Sequence, residues 1–290
     1  MFDRMSNGWH VASQSWGVLR EDKQLVIFPI LSGLAAALVL AGFALPVFLM
    51  PGVLQSIQNA IGVGANGQPS QTARVLAIVI AFAYYFLNYF VIVYFNTALA
   101  ACAIYRFRGG EPTVGLGFRM AGERLPQIAA WAFLAATVGL LLNMVEERSQ
   151  WLGKIVAAIL GGLWTVATYL VVPTLAVEGL GPIDALKRST ALIRSVWGEG
   201  LTGNFSIGMV GFVLSIPAFL AIFAAVMLQL PVPLMAGIVI IAVVYLIAVA
   251  VIVSAVKQVF IAGLYVYATE KRVPHGFDRA SMSSAFASKS

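Results

Sequence analysis

The sequence is poor in the residues on which most enzyme and metal sites depend. Its 290 residues include one cysteine, Cys102, and two histidines, His10 and His275, near opposite ends of the chain. A single cysteine excludes an intramolecular disulfide and a cysteine-rich metal site. There is no HExxH motif and no Walker loop, and the glycine-rich runs lack the lysine with which such loops bind phosphate. We therefore expect a protein that is not an enzyme and that holds no cofactor and no metal.

Charged residues are also scarce, and carboxylates are missing where an ion-coupled carrier would need them. Asp, Glu, Lys and Arg make up 10% of the chain and apolar residues 60%, with a mean hydropathy of +0.91. In soluble domains only about half of the residues are apolar. None of the 12 Asp and Glu residues lies in the middle of an apolar run, whereas ion-coupled carriers usually place carboxylates inside their spans. The composition predicts a membrane protein and argues against an ion-coupled carrier.

Six apolar runs are long enough to cross a bilayer as helices. A hydrocarbon core of about 30 Å needs about 20 residues at 1.5 Å per residue. We expect an all-α, polytopic integral membrane protein with one six-span domain over residues 1–275 and a disordered cytoplasmic tail over 276–290. The predicted spans are residues 25–50, 75–105, 125–145, 155–177, 201–230 and 234–268.

The positive charges predict the orientation of these spans. The N-terminal segment, the loops 106–124 and 178–200, and the C-terminal tail carry 14 of the 18 Lys and Arg residues. Because Lys and Arg accumulate in cytoplasmic loops, both termini are expected in the cytoplasm. Topology and attraction to anionic headgroups account for the net charge of +6, so no nucleic-acid partner is expected.

Two of the predicted spans, 75–105 and 234–268, are longer than the hydrocarbon requires. Such helices must either tilt or continue into the cytoplasm. Lys257 favours continuation, because its ammonium group lies where the last span would reach the inner interface.

The segment from Pro182 predicts a short amphipathic helix between two spans. Its apolar positions follow the spacing of one helical face, and proline is tolerated in a first helical turn. A helix of this kind on the basic side should lie flat at the cytoplasmic interface. The predicted apolar face consists of Ile183, Leu186, Thr190, Ile193 and Trp197.

This pattern occurs three times along the chain. Near the N-terminus, Trp9, Ala12, Trp16 and Leu19 have the same spacing, which aligns Ser15 with Ser189 and Arg20 with Arg194. A weaker copy aligns Pro112 with Pro182 and Arg124 with Arg194. We interpret the chain as three repeats of an interfacial helix followed by a transmembrane hairpin, over residues 7–107, 110–180 and 181–273.

Six side chains at the predicted cytoplasmic interface are candidates for binding lipid. Basic groups with nearby donors can hold a lipid phosphate, and tryptophan suits the headgroup level. The same residues would also serve as ordinary topology determinants. The candidates are Lys187, Arg188, Arg194, Trp197, Arg20 and Arg124.

Polar residues in the second span form a different candidate site. Tyr84 and Asn88 are four residues apart and share a helical face, and Asn96 lies in the inner half of the span. They would either line a path for a solute or form hydrogen bonds between helices.

Small residues spaced by four from Gly153 to Thr165 are compatible with a homo-oligomer or a membrane-protein partner, and also with internal packing.

The stretch VVPTLAVEGLGPIDALKRSTALIRSVWGE resembles the signature of an uncharacterised bacterial family of polytopic membrane proteins. The stretches GWHVASQSWGVLREDKQLVIFPILSG and WAFLAATVGLLL resemble other parts of it. The resemblance implies a six-span protein of the bacterial cytoplasmic (inner) membrane and brings no activity. A looser similarity exists to the membrane portion of some glycerophosphodiester phosphodiesterases. Their catalytic domain is missing from this sequence, so no hydrolase activity is implied.

From the residues, we expect a non-enzymatic integral membrane protein that engages anionic lipid or a membrane partner through cytoplasmic interfacial helices. The alternative is a channel or carrier for a neutral or weakly polar solute. A polar cavity that reaches the middle of the membrane would favour the alternative.

Overall fold

The computed structural model describes residues 13–49, 52, 71–148, 152–195, 199–274 and 277, and within these ranges the regular structure is helical. A short 3₁₀ turn, Lys23–Val26, joins the first two helices. The helices are α1 (13–21), α2 (Ile27–Leu49), α3 (Gln71–Phe107), α4 (Val114–Gly122), α5 (Leu125–Arg148), α6 (Leu152–Ala167), α7 (Val171–Glu178), α8 (Pro182–Ser195), α9 (Glu199–Met227) and α10 (Val232–Glu270).

Six stretches of helix are long and apolar enough to cross a membrane, which confirms the predicted all-α, multi-pass architecture. Their large apolar side chains are exposed on the outside of the bundle, as with Leu38, Phe212 and Ile241, and hydrocarbon is the environment that such a surface suits. Spans one to six are Lys23–Pro46, Arg74–Phe107, Leu125–Glu146, Gly153–Glu178, Ile207–Met227 and Val232–Glu270.

Span four is interrupted, whereas the sequence predicted one continuous helix over 155–177. Helix α6 ends at Ala167 and α7 begins at Val171. Pro173 explains the break, because its ring clashes with the carbonyl group of Tyr169 in a continuous helix and it has no N–H to donate. The freed N–H of Leu170 donates instead to Ser189 Oγ at 3.0 Å. The break therefore ties span four to α8.

Helix α3 is the centre of the bundle. It packs against α2, α4, α5, α7 and α10, while α9 packs mainly against α10. The most deeply buried residues lie at one end of the bundle, where the short helices surround the ends of α3 and α10. We call this region the end layer; it comprises residues 13–28, 93–128, 170–195 and 255–274.

The two long helices continue past the apolar belt into the end layer. Every residue from Thr97 to Ile104 and from Val259 to Val266 is buried, and eight consecutive residues cover all sides of a helix. Before these runs, residues 74–96 and 232–258 extend about 34 and 40 Å, close to the hydrocarbon thickness of about 30 Å. This arrangement supports continuation as the explanation of the extra length, and Lys257 is exposed near the transition.

Phe277 is the one residue of the predicted disordered tail, 276–290, that the structure describes. The ring of Phe277 packs edge-on against Phe107 with their centroids 5.6 Å apart, and Phe277 is buried. An aromatic side chain of the tail therefore packs against the end layer, and disorder of the tail as a whole stays a prediction. The other residues of the tail lie outside the described part of the chain.

Candidate functional site

Ion pairs join helices that are far apart in sequence within the end layer. On α3, the Arg106 guanidinium lies 3.0 Å from Glu21 Oε2 and 2.9 Å from Asp22 Oδ2. These contacts connect the end of span two to the end of α1. Two residues further along the chain, Arg108 Nη2 lies 2.9 Å from Glu270 Oε1 and connects the residue after span two to the end of span six.

A second group of contacts is centred on Glu178, at the end of span four. Its two oxygens share the single Nε–H of Arg188, at 3.0 and 3.1 Å. It also accepts one from the hydroxyl of Tyr265, at 2.8 Å. The carboxylate thus connects α7, α8 and α10, and its partners are a cation and a neutral donor.

This contact changes the role expected for Arg188. The sequence grouped Lys187, Arg188 and Arg194 as one lipid-binding cluster, but the Arg188 guanidinium is engaged by Glu178. Lys187 has 75% of its side chain exposed and lies 3.7 Å from the equally exposed Asp184. Arg194 is exposed too, and it lies two turns along the same face of α8 as Lys187. All three cations of α8 are therefore exposed, but only Arg188 is hydrogen-bonded to a carboxylate of another helix.

The buried face of α8 also differs from the predicted one. Ala185, Ser189, Leu192 and Ile193 are buried, whereas Ile183 is 60% exposed. Helices α5, α6, α7 and α10 cover this face. The apolar side of the amphipathic helix is therefore occupied by protein and not by lipid headgroups, and its polar side faces outward. Trp197, predicted on the same face, lies outside the described residues.

The remaining two lipid-binding candidates lie in different surroundings. Arg20 is exposed on α1. Arg124 is partly buried at the start of α5, where its guanidinium lies against Gly179. Gly179 ends α7 with a φ of 62°, a left-handed conformation that favours glycine, and a Cβ atom there would collide with Arg124.

Arg124 lines a cavity of about 130 Å³ between α3, the α4–α5 connection and α7. Arg108, which follows the end of α3, lines the same cavity, so two arginines from different connections line one cavity. Sequence reasoning missed this pairing because Arg108 looked like one of several loop charges. The lining residues are Ala101, Ile104, Tyr105, Arg108, Met120, Glu123, Arg124, Ala176 and Val177.

Two of the three aligned helices share a burial pattern. Ser15 and Ser189 are both fully buried, as aligned, and Arg20 and Arg194 are both exposed. The next two buried positions also correspond, Val18 with Leu192 and Leu19 with Ile193. The third copy differs: Arg119, the aligned counterpart of Ser189, is exposed, and Gly117 and Ala121 are buried instead. Trp9 and Ala12 of the first copy lie outside the described residues.

The residues predicted to line a polar path are not brought together. The Asn88 side chain donates to the carbonyl group of Tyr84 in its own helix, at 2.9 Å, and the Tyr84 ring packs edge-on against Phe43. Asn96 is partly buried further along α3. A polar cleft does exist near the other end of the bundle, and its residues from span two are Tyr85 and Tyr89.

The comparisons with known proteins agree with a family of unknown function. A family model described as "Family of unknown function (DUF6159)" matches residues 75–276. The match includes spans two to six and the stretch beginning at Val171, but not the N-terminal stretch that contains Trp16. No curated protein matches the chain.

Proposed function

The chain belongs to the DUF6159 family of unknown function, and we propose that it is a non-enzymatic protein of the bacterial inner membrane that binds anionic lipid at its basic end. Family membership brings no activity, so the proposal depends on the end layer. We place this layer and both termini on the cytoplasmic side, because most of the Lys and Arg residues lie there.

The observation that carries the proposal is the cavity that Arg108 and Arg124 line together. Guanidinium groups bind phosphate oxygens through charge-assisted, often paired hydrogen bonds. The volume of about 130 Å³ accommodates a phosphate group. A headgroup phosphate could therefore sit between α3 and α5, at the level where the long helices leave the membrane.

Both arginines have donors to offer to a phosphate. Arg108 uses Nε and Nη2 to bind Glu270 Oε1, and a guanidinium has five N–H groups in all. Arg124 is oriented by its packing against Gly179. Glu123 lines the same cavity and supplies an acceptor for a hydroxyl group of the headgroup. The chemistry favours a phosphate that carries a hydroxylated substituent, as in phosphatidylglycerol.

The exposed cations of α8 have a weaker role in this proposal. Lys187 and Arg194 would raise the local concentration of anionic lipid, each contributing about 1 kcal/mol near the surface. Arg188 would contribute less, since Glu178 neutralises it.

The proposal can be tested by native mass spectrometry, which measures how much phosphatidylglycerol the protein retains when it is released from nanodiscs that contain this lipid. We expect Arg124→Gln to reduce retention of this lipid about 10- to 100-fold, because a hydrogen bond to a charged group contributes about 1.5–3 kcal/mol. Arg194→Gln is the matched control, since it removes one exposed positive charge from the same layer; we expect a loss of about fivefold. Equal losses in the two variants would show that charge alone acts, and unchanged retention in both would leave these residues as topology determinants.

The alternative, a channel or carrier for a neutral or weakly polar solute, has less support. Asn88 donates its side-chain amide within its own helix. Tyr84, Asn88 and Asn96 do not line the polar cleft, although their neighbours Tyr85 and Tyr89 do.

A further inference from the structure

A polar cleft of about 330 Å³ lies at the end of the bundle opposite the end layer. It opens where span two passes the end of span three and the start of span four. Its charged residues are Glu146, at the end of span three, and Lys154, at the start of span four. The full lining is Tyr85, Tyr89, Gly139, Leu142, Asn143, Glu146, Lys154, Ala157 and Ala158.

The two charges of opposite sign face one cleft from two consecutive helices. Glu146 and Lys154 are both exposed, and no ion pair joins them to each other or to another residue within the described ranges. Charged groups beside hydrocarbon are costly and pair with a partner of the opposite sign. A ligand that carries both signs would satisfy both groups at once.

The neutral residues of the cleft define where each charge of the ligand would bind. Asn143 lies one helical turn from Glu146 and adds an amide oxygen as a second acceptor. The Tyr85 and Tyr89 rings add aromatic faces that attract a cation. The Tyr89 ring lies beside Gly139, where a Cβ atom would make an ordinary van der Waals contact with its hydroxyl oxygen at 3.5 Å. The cation of the ligand therefore belongs between Glu146, Asn143 and the tyrosines, and its anion belongs at Lys154.

We propose that this cleft binds a zwitterionic group in which a primary ammonium and a phosphate lie a few bonds apart. A primary ammonium offers three N–H donors to Glu146 and Asn143, which a quaternary ammonium lacks. The phosphate pairs with the Lys154 ammonium. This chemistry occurs in the headgroup of phosphatidylethanolamine and in free phosphoethanolamine. It is separate from the anionic site of the end layer.

The experiment compares lipid retention in nanodiscs made of equal parts of phosphatidylethanolamine and phosphatidylcholine. Native mass spectrometry should show retention of the ethanolamine lipid at least tenfold above the choline lipid. Glu146→Gln and Lys154→Gln should each reduce this preference about tenfold. Glu111→Gln and Lys257→Gln, which change the same residue types in other parts of the chain, are the matched controls and should leave it unchanged.

The double variant Glu146→Lys with Lys154→Glu guards against loss of folding as an explanation. It keeps the net charge and reverses the sites for ammonium and phosphate, so we expect it to recover part of the preference lost in the single variants. Equal retention of the two lipids by the parent protein, or a parent preference that survives both single variants, would overturn the proposal.

Calorimetry with free phosphoethanolamine in detergent distinguishes the two sources of the ligand. Heat of binding that Glu146→Gln abolishes would identify the soluble molecule as sufficient. If the protein preferred the ethanolamine lipid in nanodiscs but free phosphoethanolamine gave no heat of binding, the lipid headgroup would be identified as the ligand. Absence of both would overturn the proposal.

Discussion

The hydroxyl of Tyr265 donates to Glu178 Oε1 at 2.8 Å and joins span six to the end of span four. Because Arg188 binds the same carboxylate, one partly buried contact between two spans also fixes the position of α8. The end layer is therefore held by polar contacts between helices as well as by its apolar core.

We expect Tyr265→Phe to lower the free energy of unfolding by about 1–2 kcal/mol. A hydrogen bond to a charged group contributes about 1.5–3 kcal/mol, and the loss should be near the lower end because the Glu178–Arg188 ion pair remains in the variant. Denaturant unfolding in detergent micelles measures the loss. A double-mutant cycle with Glu178→Gln should give a coupling of at least about 0.5 kcal/mol. Tyr84→Phe, which removes a hydroxyl from the middle of span two, is the control. Additive effects of the two substitutions would contradict the contact.

Ser189→Ala should destabilise the protein by about 1–3 kcal/mol, because it leaves the buried N–H of Leu170 without its acceptor at the break in span four. Ser195→Ala is the matched control: it removes a hydroxyl from the same helix, where Ser195 is exposed and donates to the Leu192 carbonyl. Similar losses in the two variants would show that the break does not depend on the serine.

Gly179→Ala should reduce retention of phosphatidylglycerol as much as Arg124→Gln does. Its Cβ would displace the Arg124 guanidinium, and its φ of 62° costs an alanine about 1–2 kcal/mol. Native mass spectrometry gives retention, and thermal unfolding gives the strain. Gly181→Ala is the control, because a Cβ at Gly181 meets no atom within 4 Å. If the variant were less stable but retained phosphatidylglycerol fully, Gly179 would contribute to stability and not to lipid binding.

Labelling of introduced cysteines tests the orientation. The native Cys102 is buried, so a membrane-impermeant maleimide should react poorly with the parent protein. We expect Asn66→Cys to react from outside intact cells and Ser284→Cys to react only after permeabilisation. The reverse result would place the basic end outside the cell and would contradict the prediction that both termini are cytoplasmic.

Much of the candidate site could not be predicted from the sequence, because a charge on a helix reveals its partner only when the neighbouring helix is in place. Arg188 and Lys187 are adjacent in sequence, but Glu178 binds the first and leaves the second exposed. In the same way, Arg108 follows α3 and Arg124 precedes α5, and they line one cavity only because α5 packs against α3. Glu146 and Lys154 likewise line one cleft only because spans three and four pack against each other.

The sequence by itself determined the number of spans, their approximate bounds and the short helix from Pro182 to Ser195. Each of these features depends on the hydropathy, length and periodicity of one segment. The bilayer thickness sets the length that an apolar segment needs to cross the membrane, and the helical repeat sets the spacing of residues on one helical face. Only the tertiary structure decided which face of α8 is buried, where span four breaks to reach Ser189, and which arginines share a cavity. Each of these depends on how helices rotate and cross against one another, and that is set by contacts between residues far apart in the chain.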